Sequence, residues 1–189
     1  MKIESKLGIK GEYKVTECDS SSLEAKRFIA KMKLKTGKAF NDMLKEFHTL
    51  FSIREEIFYN IVPNVGLNAL AENIINTTPP ASQSLRISYG GLGTGTGTPT
   101  GADTILGNEE YRQTVSSQVR VTNKAYNTVF LDNNSGNGFT YSEFGLFSGE
   151  ATATADSGTL FSRVLLSPTF EKTSAKTLTI EAMHTFTSA

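Results

Sequence analysis

The segment Tyr89–Arg112, "YGGLGTGTGTPTGADTILGNEEYR", places Gly91, Gly93, Gly95 and Gly97 at every second position. Glycine-rich loops bind phosphate when their backbone N–H groups converge at the start of a helix. The dinucleotide version needs G-x-G-x-x-G, and Thr96 stands where the third glycine belongs. The other phosphate loop needs Gly-Lys-Ser/Thr, and here Gly37-Lys38 is followed by Ala39. The text after the glycines, "TPTGAD", reads as loop and not as a hydrophobic helix start. Nucleotide binding is not expected.

Other reactive side chains are similarly scattered. His48 and His184 lie far apart, without Cys or carboxylate at ligand spacing. Asp132 sits near Asn133, Asn134 and Asn137 but lacks the acidic series of a calcium loop, so a turn is expected. There is no G-x-S-x-G elbow, and Glu109, Glu110 and Glu143 show no evident catalytic pairing. Cys18 is the only cysteine, which excludes an internal disulfide and a cysteine-based zinc site. The expectation is a non-enzymatic chain with no cofactor and no metal.

Of 189 residues, 19 are Lys or Arg and 19 are Asp or Glu, so no net field attracts nucleic acid or a membrane. The charge is uneven: residues 1–60 hold 12 cations and 9 anions, and residues 61–189 hold 7 and 10. The start, "MKIESKLGIKGEYK", has no apolar signal region, and no run approaches transmembrane length. A soluble protein made in a reducing cytosol is expected, with neither nucleic acid nor membrane as partner.

The elements that would position these residues follow from periodicity. Tyr13 and Val15, a turn at Asp19–Ser22, and alternating Phe28, Ala30, Met32 and Leu34 predict a hairpin. Ile29 breaks the alternation, and Arg27, Lys31, Lys33 and Lys35 form a basic opposite face. Phe40, Met43, Leu44, Phe47, Leu50, Phe51, Ile57 and Phe58 follow the i, i+3, i+4 rule and predict a long amphipathic helix, with Thr36 as N-cap. Its apolar face serves either its own core or a neighbouring subunit. Pro63 and Asn64 break it, and Leu67, Leu70, Ala71, Ile74 and Ile75 predict a shorter helix stopped by Thr77, Thr78, Pro79 and Pro80.

From Ser84 the period becomes two. Strands are predicted at Ser84–Tyr89, at Val115–Val121, over "TVFLDNN", "FTYSEFGLF" and "TLFSRVLL", and at the C-terminal "KTLTIEAMHTF". Asn123–Asn127 reads as a turn, and Gly145 as a bulge or close approach. Such spacing predicts a mainly β, antiparallel β-sandwich with an N-terminal hairpin and two inserted helices. The divisions are 1–35 (hairpin), 36–76 (helical insert) and 77–189 (sandwich core).

The order "NVGLNALAENI", "ISYGGLGTGTGTPTGADTILGNEEYR", "FTYSEFGLF", "GTLFSRVLL" resembles the N-terminal domain of phage tail-collar fibre proteins. The residues that carry the resemblance are Gly66, Leu67, Gly91 to Gly97, Asp103, Leu106, Glu109, Arg112, Glu143, Gly145, Leu146, Phe147, Gly158, Leu160, Phe161 and Arg163. Leu92, Thr94 and Thr96 stand where that family often has an acid, and Ser142 where it often has arginine. The resemblance implies a non-enzymatic virion structural protein of the tail, collar/neck or baseplate. Its implied partners are other virion proteins and further copies of itself in a symmetric homo-oligomer. Capsid decoration on the major capsid protein, and a host-surface carbohydrate module using Tyr126, Tyr141 and the Asn133–Asn137 loop, are the alternatives.

Two surfaces are candidate interfaces. One is the helix face Phe40, Met43, Leu44, Phe47, Leu50, Phe51 and Phe58. The other is the glycine loop, Gly93, Thr94, Gly95 and Thr96, whose glycines could take positive φ. Glu109 and Arg112, three apart, could pair there on one helical turn.

Overall fold

A computed structural model describes residues 7–75, 78 and 84–188. Nine strands and three helices occur among them: β1 (Leu7–Asp19), α1 (Leu23–Met32), α2 (Gly37–Phe51), β2 (Ser52–Asn60), α3 (Asn64–Ile75), β3 (Tyr89–Gly93), β4 (Glu109–Thr114), β5 (Ser117–Val121), β6 (Lys124–Leu131), β7 (Phe139–Ser148), β8 (Thr159–Lys172) and β9 (Lys176–Ser188). The strands form two antiparallel sheets. Sheet A runs β2-β1-β9-β6-β5 and sheet B runs β4-β3-β7-β8. The sandwich predicted from the period-two pattern is therefore the fold.

Between the sheets lies the main core. Sheet A contributes Tyr13, Val15, Phe58, Val129, Leu131, Leu178, Ile180 and Ala182, and sheet B contributes Leu92, Phe144, Leu146, Val164 and Phe170. The β9 stripe continues through buried His184. Burial pushes that imidazole down to about 4. Its Nε2 lies 3.2 Å from Asn60 Nδ2, and its ring meets Phe161 edge-on.

Three local expectations change. The second hairpin strand is helix α1. Ile29, which spoils the alternation, is buried with Ala25 and Met32 at helical spacing. Ser22 caps the helix by accepting from the Ala25 N–H at 3.0 Å. β1 pairs instead with β2 on one side, both helices lying between them in the chain, and with β9 on the other. Tyr13 pairs with Phe58 and Lys14 with Ile57.

The long helix stops at Phe51, and Ile57 and Phe58 belong to β2. Ile53, Ile57, Phe58 and Tyr59 are β-branched or aromatic and favour a strand, and pairing with β1 seats Phe58 in the sandwich core. Thr36 stands at the N-cap position but makes no side-chain capping bond. The shorter helix forms as α3. Of its stop signal, Thr77, Pro79 and Pro80 lie outside the described residues.

The third change concerns the strands. Ser84–Ser88 is not strand; pairing begins at Tyr89 and takes in the first glycines. The turn expected at Asn123–Asn127 is tighter, because β6 already begins at Lys124 and Thr122 takes φ 51°.

Candidate docking site

Each sheet has an outer face, and each face carries a cover. Over sheet A lies the α1–α2 hairpin. Phe40, Leu44 and Phe47 are buried in a second core with Ala25, Ile29, Met32, Cys18 and Phe130, while Met43 and Phe51 are half-buried. Phe47 and Phe51 rings lie 4.9 Å apart, and Phe40 meets Phe130 of β6 at 6.2 Å. Phe58 lies inside the sandwich, 6.1 Å from Phe170. Of the seven proposed interface residues of this helix face, Leu50 alone is largely exposed, at 57%. The phenylalanine stripe thus fills its own domain, and most of it is inaccessible to a neighbour.

Two polar contacts pin this cover. Lys33 pairs with Asp132 at the end of β6. His48 Nε2 lies 2.9 Å from Thr179 Oγ1 of β9. Burial pushes the His48 imidazole down to about 4, with Lys14 adding to the effect.

Over sheet B lies the glycine segment. Glu143 projects from β7 with its side chain fully buried. Its Oε1 accepts from the Gly95 N–H at 3.0 Å and the Asn108 N–H at 2.8 Å. Its Oε2 accepts from the Gly107 N–H at 3.0 Å and from Arg163 Nε at 2.9 Å. Arg163 also donates to Asp103 Oδ2 at 2.6 Å and to the Gly97 carbonyl at 3.0 Å. Burial alone would raise the Asp103 carboxyl; hydrogen bonds from Thr100 and the Arg163 guanidinium outweigh it and hold the group below its usual range. One carboxylate and one guanidinium therefore tie both limbs of the loop to the sheet.

A second pair lies alongside. Arg112 grips Glu109 in a bidentate pair, at 2.5 and 2.7 Å, with both side chains almost fully buried. The guanidinium stacks 3.9 Å over Phe147 and donates to the Ser157 carbonyl at 2.7 Å. Glu109 Oε2 in turn accepts from the Asp156 N–H at 3.0 Å, which ties the 149–158 loop to the same face.

The expected partners meet, but on a strand. Residues three apart on a regular strand face opposite ways. The register shifts at Leu92/Gly93, so that Gly93 opposes Glu109 while Leu92 opposes Tyr111. The extra residue, Glu110, turns Glu109 to the side that Arg112 occupies.

The glycines serve close approach. No glycine from Gly90 to Gly101 has positive φ. A Cβ at Gly95 would stand 2.2 Å from Glu143 Oε1. A Cβ at Gly145 would stand 2.9 Å from both Leu106 Cδ2 and Leu160 Cδ1, where the loop's one buried leucine seats on the sheet. Of the remaining loop candidates, Thr94 Oγ1 accepts from Asn108 Nδ2 at 2.7 Å, and Thr96 is exposed. The tip, residues 96–105, is exposed apart from half-buried Pro99 and Asp103.

The Lys33–Asp132 pair and the Asn108 contacts had no sequence signal, since neither follows a period or a motif. Among the described residues, no group of three His, Cys, Asp or Glu side chains could hold a metal ion. The chain matches no protein-family model, no curated protein and no solved structure.

Proposed function

We propose that this chain is a non-enzymatic bacteriophage virion structural protein. It acts as an assembly and attachment module of the tail, collar/neck or baseplate, docking on other virion proteins through the loop face of sheet B. The supporting observation is where the motif residues go. Asp103, Arg163 and Glu143 form one ion-pair cluster under the loop, and Glu109 with Arg112 forms a second, buried one alongside. Glu143, the most buried of the carboxylates, has both oxygens filled by donors from the loop and from Arg163, so its place is structural. The network holds an exposed tip in one conformation, and preorganisation of that kind lowers the ordering cost of docking.

The test is incorporation. Particles assembled with the Thr98→Arg, Ile105→Asp double variant should carry at least ten-fold less of this chain by quantitative mass spectrometry, with its melting temperature unchanged. Normal occupancy would remove the loop face from the proposal. Gold labelling of wild-type particles separates tail from head; a label on the capsid faces would favour the decoration alternative.

A further inference from the structure

The covers of the two sheets carry opposite charge. Residues 20–51, the helical cover of sheet A, hold seven Lys/Arg and three Asp/Glu. Lys26, Arg27, Lys31 and Lys35 are exposed and have no carboxylate partner among the described residues. The cover of sheet B is the reverse. Residues 94–110 and 149–158 together hold Asp103, Glu109, Glu110, Glu150 and Asp156, with no Lys or Arg. Arg112 and Arg163 beneath them are buried and committed to Glu109, Asp103 and Glu143. Glu110, Glu150 and Asp156 remain exposed and unpaired with any cation among the described residues.

The shapes also correspond. Between α1 and α2 runs an open groove of about 690 Å³ with Leu23, Phe28 and Met43 as apolar lining; Arg27 and Lys31 flank it together with Glu24 and Glu46, so the positive excess belongs to the cover as a whole and the groove itself offers an apolar seat. On the other face the acidic cover presents an apolar knob, Ile105, 45% exposed at the loop tip.

From this geometry we infer that the occupant of the α1–α2 groove is the loop tip of a second copy of this chain. Copies associate head to tail, the basic helical cover of one against the acidic loop cover of the next. The two complementary surfaces lie on opposite faces of one sandwich, so a copy cannot satisfy its own groove. The contact is heterologous, and repetition generates a ring or a column. Exposed charge pairs are individually weak and are screened by salt, so the association is weak in isolation and strengthens with the number of copies. The inference takes the loop tip as a docking surface from the proposal above and names its partner. Association in solution is read without any particle, so failure here and failure of incorporation are distinguishable.

Sedimentation velocity on the purified full chain tests it. At about 100 µM protein, the weight-average mass should rise at least two-fold above the monomer at low salt, on the order of 0.02 M, where the Debye length is tens of ångströms. In 0.5 M salt it should return to the monomer. The Lys26→Glu, Arg27→Glu, Lys31→Glu variant changes only exposed side chains and should stay monomeric at low salt with an unchanged melting temperature. It keeps a native acidic face, so a five-fold excess should cap the wild type and shorten its assemblies. Ile105→Asp should also be monomeric. A monomeric wild type at low salt overturns the inference, as does association that survives in the triple variant or in 0.5 M salt. Failure of the triple variant to cap the wild type overturns the head-to-tail arrangement.

Discussion

Sheets A and B each have a face that would otherwise be open to water, and the chain covers the two by different chemistry. Over sheet A, a helical hairpin brings a stripe of phenylalanines and aliphatics, and burial of apolar area holds it down. Over sheet B, a loop with a single buried leucine is held by carboxylates and guanidinium groups drawn out of water. The first solution tolerates reshaping, because apolar contact is non-directional. The second demands full satisfaction, because a buried charge that loses its partner is left with its desolvation cost. A helix can be attached by its side chains alone, since its backbone is already bonded internally. A loop cannot, and Glu143 supplies the acceptors that the Gly95, Gly107 and Asn108 N–H groups would lack.

Breaking the loop side should have the largest effect. Arg163→Ala leaves Glu143 buried without its cation and frees Asp103, so we expect a loss of about 3–5 kcal/mol in denaturant unfolding. Hydrogen exchange should rise first at Gly95, Gly107 and Asn108, with the α2 amides still protected. Uniform loss of protection over both faces would mean that the two covers are not separate units.

The reciprocal break is Phe47→Ala. Phe47 is fully buried against Phe28 and Phe51, so its truncation should cost about 3 kcal/mol. The half-buried neighbours can shift inward and limit the cavity. Exchange should now rise in α1 and α2 while the loop amides hold. An unchanged midpoint would contradict the second core.

Gly145→Ala probes how closely the loop seats on sheet B. The added methyl would press on Leu106, on Leu160 and, at 3.1 Å, on the Ser162 carbonyl. We expect about 1–2 kcal/mol of destabilisation with faster exchange in residues 103–108. A neutral result would mean that Leu106 swings aside without cost.

Mild acid should separate the two faces without any mutation. His48 has its folded pKa lowered from 6.5 to about 4, so the unfolded chain binds more protons between those values. Stability held by neutral His48 is therefore complete above about pH 6.5 and falls as the pH drops toward 4. At pH 5 the loss at this site is roughly 1–2 kcal/mol. His184 has the same sign and weakens the common core over the same range. Asp103 on the loop face has a depressed folded pKa, so its contribution is present above the ordinary carboxylate range near 4 and is lost only as pH falls below it. Exchange at pH 5, corrected for intrinsic rates and referenced to a His48→Gln variant, should show α2 loosening while Gly95 and Gly107 stay protected. Equal loosening of both faces would remove the distinction.

Legibility in the sequence followed the range of the interactions. The amphipathic stripe of α2 was readable because Phe40, Leu44 and Phe47 recur at helical spacing, and the β9 face because Leu178, Ile180 and Ala182 alternate. α1 resembles a strand in sequence because Phe28, Ala30, Met32 and Leu34 happen to alternate; Ala25, Ile29 and Met32 carry the better period. The end of α2 is not legible in sequence because Ile57 and Phe58 fit both a helix and a strand, and only the neighbouring β1 ladder chooses between them. Asp103, Glu143 and Arg163 lie far apart in the chain, and nothing in their spacing says that they touch one another.

The sequence by itself determined the stripe of α2, the alternating faces of the later strands and hence the sandwich, and the uneven charge along the chain, because periodicity and composition are local properties. The tertiary structure decided which of those elements face outward. It turned the phenylalanine stripe inward, where sheet A offered an apolar face to bury it. It brought Glu143 to Arg163 and Arg163 to Asp103 across long stretches of chain, and used one extra residue in β4 to set Glu109 beside Arg112. Ion pairs of that kind leave no periodic trace, since they become strong only where folded sheets and loops exclude water around them.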